Sequence, residues 1–201
     1  MTEHYFSGQP QAAHDLRQVK AVLRGKSYVF TTDAGVFSKG RIDPGTRLLA
    51  EAMEIQPGDM VLDMGCGYGP LGVVAGNLAA KGQVLMVDVN QRAVELARRN
   101  LQQNGVTNAQ ALVGDGFAAV EGLSFDVILM NPPIRAGKAV VYALIRQAKD
   151  HLKEGGRFYV VVQTKQGAKS MKREIEEQFG NAGDIEREGG YRVILARKEA
   201  D

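Results

Sequence analysis

Met60-Val61-Leu62-Asp63-Met64-Gly65-Cys66-Gly67-Tyr68-Gly69-Pro70 decides how the rest of the chain is read. An apolar run ends in an acid, three glycines follow at every second position, and Leu71, Val73, Val74 and Leu78 then resume at helical spacing. The pattern predicts a strand, a tight turn and a helix. Glycines suit such a turn because side chains would hold a ligand away from backbone N–H groups, and because tight turns often need positive φ. The loop is therefore either a plain βα connection or a cradle of nucleotide size.

Two further stretches favour the cradle. The spacing resembles a dinucleotide fingerprint, in which a third glycine follows the second by three residues, but Pro70 stands there. Asp63, before the first glycine, repels phosphate and attracts a cationic amino acid moiety, which S-adenosylmethionine has. Gln83 to Asp88 reads as a strand ending in an acid about twenty residues past the glycines, where a carboxylate can accept both hydroxyls of an adenosine ribose. Asp88 alone does not separate NAD from S-adenosylmethionine. Asn131-Pro132-Pro133-Ile134 does: it follows the buried-strand run Phe125 to Met130, and its double proline locks the backbone just past the strand end. An asparagine held beside backbone carbonyls can accept the N–H bonds of a planar amino group. Ligands of open α/β sheets bind outside the carboxyl ends of the strands, and Asp63, Asp88, Asp115 and Asn131 all fall at such ends.

With these motifs in order, the chain resembles class I S-adenosylmethionine-dependent methyltransferases of the amino-methylating type. More narrowly it is similar to the 16S rRNA guanine-N2 methyltransferase family, in its catalytic half and its short single-domain relatives. The resemblance covers roughly Tyr28 to Arg197 and rests most on Gly35-Val36-Phe37-Ser38, Asp43-Pro44-Gly45-Thr46, the glycine loop and Asn131-Pro132-Pro133-Ile134. It implies a Rossmann-like class I fold: a mostly parallel seven-stranded sheet with an antiparallel terminal strand, helices on both faces and an N-terminal β-hairpin extension. It implies S-adenosylmethionine as cofactor, contacted by Phe37, Ser38, Asp63, Gly65, Gly67, Gly69, Asp88, Val89, Asp115, Gly116, Phe117 and Asn131. In the family the position of Asp115 contacts the adenine amine while an apolar neighbour, here Phe117, packs on the ring; from the residues alone a plain loop serves as well. Asn131, Pro132 and Pro133 become the catalytic group. Ile134 departs from the family, which usually places an aromatic there to stack on the target, and Arg135 replaces the histidine of larger members, as in the short relatives.

At 201 residues one α/β domain is expected over 1–201, with 1–42 an N-terminal extension and hairpin and 43–201 the catalytic core. Arg17 to Leu23 and Lys26 to Thr32 alternate as a hairpin; Asp43 and Pro44 open a helix running to Pro57-Gly58. Further helices are expected over 91–104, 138–152 and 168–179. Gly155-Gly156 should break the second of these before an apolar, central parallel strand over 158–163, and strands over 184–188 and 192–196 close the chain around Gly189-Gly190. Nothing near Met1 combines a basic start with an apolar core, and no apolar run approaches the roughly 20 residues that span a bilayer, so a soluble cytoplasmic protein is expected. Cys66 has no partner for a disulfide, and His4, His14 and His151 lack ligand spacing, so no metal is expected.

The net charge of +2 is uneven: residues 1–47 carry seven Lys/Arg against four Asp/Glu, residues 48–133 four against nine, and residues 134–201 fourteen against ten. Lys165, Lys169, Lys172 and Arg173 are spaced to share a helix face beside the substrate edge, with Ile134, Arg135 and Lys138 alongside. The expected partner is RNA, ribosomal RNA or the small ribosomal subunit, contacted through its phosphates. An exocyclic amine is a poor nucleophile because its lone pair is delocalised. Acceptors at Asn131 Oδ1 and the Pro132 carbonyl would drive its nitrogen towards a pyramidal shape, with orientation supplying most of the rate. Guanine N2 in RNA is the expected target. Adenine in nucleic acid, a protein glutamine amide, a non-catalytic RNA-binding role and an NAD-dependent oxidoreductase are the competing readings.

Overall fold

The computed structural model describes residues 13–36 and 40–200. The expectations placed on Phe37 and Ser38 lie outside them. Strands β1 (Arg17–Leu23) and β2 (Lys26–Thr32) pair antiparallel, and Arg24 and Gly25 turn between them with φ of 50° and 74°. Positive φ at both turn residues matches the right-handed twist of a hairpin. Arg24 leaves that turn to cap helix α1 (Pro44–Ala52), its Nη1 donating to the Glu51 carbonyl at 2.8 Å and the Met53 carbonyl at 3.1 Å. At the other end of α1, Asp43 Oδ2 accepts the Thr46 N–H at 2.8 Å and Pro44 takes the first turn, as the sequence led us to expect. The helix stops short of Pro57-Gly58, at Ala52.

The remaining elements follow in order: β3 (Met60–Met64), α2 (Pro70–Leu78), β4 (Gln83–Asp88), α3 (Gln91–Gln103), β5 (Ala109–Val113), β6 (Phe125–Met130), α4 (Lys138–Asp150), β7 (Leu152–Gln163), α5 (Ala168–Phe179), β8 (Gly183–Glu188) and β9 (Tyr191–Arg197). Seven strands form one sheet ordered β5-β4-β3-β6-β7-β9-β8. Strands β3 to β7 run parallel, and β9 is inserted antiparallel between β7 and β8. Alternate residues of the central strands feed two cores: Val127 and Leu129 pack with the hairpin, α1, α2 and α3, whereas Ile128 and Met130 pack with α4 and α5. Burial on both faces explains why these strands read as unbroken apolar runs.

Two details correct the sequence reading. Helix α4 ends at Asp150, and Gly155-Gly156 lie inside β7, where the register against β6 jumps from Phe125↔Leu152 to Val127↔Arg157. A Cβ at Gly156 would come within 2.7 Å of the Lys153 carbonyl, so the irregular turn of chain needs glycine there. Nor is β7 parallel on both sides, since its other neighbour is the antiparallel β9.

The hairpin is fastened to the body by Asn100 of α3 and by Asn104, which caps the C-terminus of that helix. Asn100, fully buried, accepts the Thr31 N–H at 2.7 Å and donates to the carbonyls of Thr31 at 2.9 Å and Tyr68 at 2.8 Å; Asn104 pairs with Val29 N–H and C=O in the same manner. These amides imitate a neighbouring strand and satisfy the outer edge of β2. Asn100→Ala abandons three buried backbone groups, each worth about 1–3 kcal/mol when left without a partner, and relaxation reduces the sum to about 3 kcal/mol. The expected result is a lower urea midpoint with an unchanged m-value; an unchanged midpoint would mean that the hairpin docks by its apolar face alone.

Candidate active site

Four parallel strands deliver polar groups to one edge of the sheet. Asp63 lies at the end of β3, Asp88 at the end of β4, Asp115 just past β5 and Asn131 just past β6, and all four line a single cavity of about 780 Å³. Gly65, Gly67, Val89, Gly116, Pro132, Pro133, Ile134 and Arg135 line it too. The convergence expected from the strand ends is therefore present.

The glycine loop wraps the end of β3 back against β4: the N–H groups of Gly65 and Cys66 both reach the Val87 carbonyl, and Gly67 N–H donates to Asp88 Oδ2 at 2.8 Å. Gly65 has φ of 75° with open space where a side chain would project, so the backbone there is bare to the cavity. Gly69 has a different task. It caps α2 with φ of 95°, and a Cβ there would meet Met86 Cε at 2.6 Å, so its absent side chain lets the helix approach β4 and does not line the cavity.

Asp63 is the electrostatic centre. It is 1% exposed, its Oδ2 accepts the Gly72 N–H at 3.0 Å, and its Oδ1 has no partner among the described residues. Burial pushes its carboxyl up to about 7; the Gly72 N–H opposes the shift and the Asp88 charge adds to it. A buried carboxylate oxygen without a donor costs free energy until a cation or N–H reaches it. Asp88 has both oxygens on backbone donors, Gly67 N–H and Asn90 N–H at 2.9 Å, which fixes the carboxylate in one orientation. Each oxygen carries a second lone pair able to accept a hydroxyl. Cys66 is buried and its thiol is pushed up, first by burial and then by the two acids, so it is a packed residue with no thiolate character.

Asn131 is clamped. Its Nδ2 donates to Asp43 Oδ2 at 3.1 Å and to Thr46 Oγ1 at 2.9 Å, both at the first turn of α1. An ionised carboxylate only accepts, so Asp43 settles which end of the amide faces it. The Asn131 Oδ1 is left with no hydrogen bond among the described residues, on the wall of the cavity. The Pro132 carbonyl already accepts the Ile134 N–H at 2.8 Å, which opens a 3-10 turn over Ile134–Ala136, and retains one lone pair.

Several sequence expectations fall elsewhere. Phe117 is 2% exposed and stacks on His151 at 4.7 Å within the core under α4, so it does not line the cavity; Leu144 and Val89 supply the apolar surface beside Gly116 instead. Lys172 pairs with Asp184 at 3.3 Å and Arg173 with Glu177 at 3.6 Å, so these two cations of α5 are engaged in local ion pairs rather than presented at the cavity mouth. Lys165 and Lys169 are exposed, and Lys138, also exposed, begins α4 beside the Gly167 turn, all three outside the lining. The lining residues that were not singled out from sequence include Tyr68, Gln163, Gln166 and Tyr191. Tyr191 lies over the first turn of α1, where a Cβ on Gly45 would meet its ring at 2.8 Å, and only the glycine of Asp43-Pro44-Gly45-Thr46 hinted at so close a contact.

The ordered sheet with its antiparallel β9, flanked by helices and ending at this cavity, defines the class I methyltransferase fold. The chain belongs to the methyltransferase small domain family, whose sequence description matches residues 27–195. It is 42% identical to YbxB of Bacillus subtilis over 202 aligned positions, covering 98% of this chain and all of that one. It is 35% identical to ribosomal RNA small subunit methyltransferase C of Pseudomonas entomophila, over 82% of this chain but 49% of the relative. Among solved structures it is similar to the T. thermophilus 16S rRNA N2 G1207 methyltransferase in complex with AdoMet and guanosine, with a TM-score of 0.82, 31% identity, and coverage of 92% of this chain and 51% of that one. The chain thus spans about half the length of these methyltransferase C relatives. The cofactor of the family is S-adenosylmethionine, and the residues fit it: an orphaned buried carboxylate oxygen for a cation, a fixed second carboxylate, and a bare glycine backbone between them. Among the described residues no helix is long and apolar enough to cross a membrane.

Proposed function

We propose that this chain methylates the exocyclic N2 amine of a guanine in ribosomal RNA. The observation that carries the reading is the clamped Asn131, whose amide nitrogen is consumed by Asp43 and Thr46 so that only its carbonyl oxygen is offered to the cavity. A group that can only accept selects a substrate that donates, and a planar NH2 donates two hydrogens in one plane. The names of the ribosomal RNA relatives and the guanosine complex of the T. thermophilus enzyme point to guanine among the planar amines. A ribosomal substrate also places the chain in the cytoplasm.

The cofactor supplies a methyl group activated on a sulfonium. Asp63 would hold its ammonium, Asp88 its ribose and Asp115 with Gly116 its base, with Val89 and Leu144 as the apolar lining in place of the Phe117 ring. Asn131 Oδ1 and the remaining lone pair of the Pro132 carbonyl accept the two amine hydrogens and turn the nitrogen lone pair towards the methyl. Orientation of this sort accounts for most of what the protein must do. Asparagine is no base at neutral pH, so the product proton leaves to water. Ile134, half-buried on the 3-10 turn, covers a face of the base where an aromatic would stack, and Arg135 beside it meets a phosphate. Pro133 holds that turn in place.

Transfer of labelled methyl to undermethylated ribosomal RNA, small subunits and ribosomal protein tests the substrate class. Label removed by ribonuclease and resistant to protease is the expected result. Label that survives ribonuclease would move the reading to a protein amide, which presents the same planar NH2.

A further inference from the structure

The active-site cavity continues past Asn131. Its acids stand at the ends of β5, β4 and β3, Asn131 at the end of β6, and the next two strands of the sheet, β7 and β9, add Gln163 and Tyr191 to the lining. Alternation along the strands puts these groups on one face. Val61, Leu129, Tyr159 and Val161 pack on the side of the sheet covered by α1, and Asp63, Asn131 and Gln163 share their parity. Gln163 pairs directly with Tyr191, which packs on the same side with its ring over Gly45 of α1.

Gln163 is half-buried and its backbone is fixed, by the pairing with Tyr191 and by its carbonyl, which accepts the Gln166 N–H at 2.9 Å. Its carboxamide has no hydrogen-bond partner among the described residues, whereas Asn100, Asn104 and Asn108 spend theirs on backbone groups. The β6–β7 register ends at Met130↔Val160, so Gln163 stands one strand over from Asn131 and two residues further out. Neighbouring strands are about 4.8 Å apart, and the edge of guanine from N2 to O6 has a comparable span.

A carboxamide carries an acceptor and a donor side by side. When Asn131 Oδ1 and the Pro132 carbonyl take the 2-amino group of guanine, the next polar groups along that edge are N1–H, a donor, and O6, an acceptor. A carboxamide matches them with two parallel hydrogen bonds. Adenine held by its own amine offers N1 as an acceptor and then a C–H, so the glutamine oxygen is left without a donor, at a cost in binding.

We propose that Gln163 selects guanine as the methylated base, its Oε1 accepting N1–H and its Nε2 donating to O6, with Tyr191 bounding the pocket beyond it. The inference rests on the guanine-amine reading of the active site. Asn131 recognises the amine that reacts, and Gln163 recognises the ring that carries it. A site built to pair such groups rejects analogues that lack them, because its own polar atoms are then left unpaired.

The test is a ligand-observed NMR titration of the full chain, loaded with S-adenosylhomocysteine, with three nucleosides. Guanosine has all the groups concerned, 2-aminopurine riboside keeps the 2-amino group but has neither N1–H nor O6, and inosine keeps N1–H and O6 without the amine. Wild type is expected to bind guanosine about tenfold or more tighter than either analogue. Gln163→Leu should weaken guanosine about tenfold and bring it within about twofold of 2-aminopurine riboside, with the preference over inosine and the affinity for S-adenosylhomocysteine retained. Gln163→Glu, of the same shape, guards against a packing defect: its carboxylate accepts N1–H but faces the O6 lone pairs, so guanosine weakens there as well. A wild-type preference for guanosine over 2-aminopurine riboside in either variant overturns the assignment of Gln163, and a preference over inosine then leaves the amine reading standing. A wild type that binds guanosine no better than inosine, or not at all, overturns both.

Discussion

Asn131→Ala is expected to lower the methyl-transfer turnover about 10²- to 10³-fold while leaving the affinity for S-adenosylhomocysteine within about twofold of wild type, the size of effect that follows loss of one preorganised polar group at a reacting centre. The separation of the two readouts follows from the geometry. Asp63, Asp88 and the glycine loop are held by their own backbone contacts, none of which involves Asn131. Thr46→Val tests the clamp with the amide still present. It removes the hydroxyl that accepts from Asn131 Nδ2 at 2.9 Å and keeps the side-chain shape, so the amide gains freedom to rotate about its remaining bond to Asp43. Turnover should fall about tenfold, a displacement of under an ångström sufficing for that, and Thr46→Ser should restore most of it. If Thr46→Val turns over like wild type, Asp43 alone orients the amide. Asp43→Ala is the poorer probe, because Asp43 also caps α1 through the Thr46 N–H and its loss costs about 1 kcal/mol of helix stability in addition.

The second large effect concerns Asp63, where binding and stability should move in opposite directions. Its pKa in the folded protein is raised to about 7 from an ordinary carboxylate value. A raised pKa means that the stability it contributes is complete below the unfolded pKa and is lost as pH rises through the folded value. Without cofactor, the wild-type protein should therefore weaken between about pH 4 and pH 7, by up to about 4 kcal/mol. Asp63→Asn removes the ionised form. An amide still accepts the Gly72 N–H, although its NH2 inherits the place of the unpartnered Oδ1 at a cost of about 1–3 kcal/mol, so near pH 8 a net gain of about 2 kcal/mol is expected. That gain should cross zero between about pH 5 and pH 6 and become a loss of about 2 kcal/mol near pH 4, where the wild-type carboxyl is neutral in both states. Affinity for S-adenosylhomocysteine should instead fall roughly 10- to 100-fold, the worth of a charge-assisted hydrogen bond. Calorimetry near pH 6 in buffers of different ionisation enthalpy should show wild-type binding with proton release and Asp63→Asn binding without it. A variant that is both less stable and an equally good binder would mean that Asp63 is structural.

How much of this could be read from residues alone depends on the range of the interaction concerned. The glycine loop, the Asp43 cap and Pro44 are short-range matters, and the structure has them where local chemistry put them. The strand ends were legible as well, because a parallel sheet brings its carboxyl ends to one edge whatever the order of the strands. Strand order itself was not, since no local signal tells β3 to pair with both β4 and β6. Gly155-Gly156 read as a helix stop because paired glycines punctuate helices and bulges alike. Phe117 was misplaced by one face: in the turn after β5 its ring goes under α4 onto His151, and period alone cannot say which side of a one-turn helix is the core. The cations of α5 looked like a binding face because spacing does not reveal that Asp184, from β8, reaches Lys172. The most consequential omission was the clamp. Asp43 and Thr46 were noted as a helix start, yet their bonds to Asn131 span 88 and 85 residues of chain and exist only once α1 has folded over the end of β6.

The measurement that bears most directly on the central claim is transfer of labelled methyl from S-adenosylmethionine to undermethylated ribosomal RNA and small subunits, with digestion to nucleosides. Wild type and Asn131→Ala are to be run side by side. Label recovered in N2-methylguanosine with wild type, and reduced about 10²-fold or more with the variant, is the predicted outcome. Label in another nucleoside, or equal label from the variant, would contradict it.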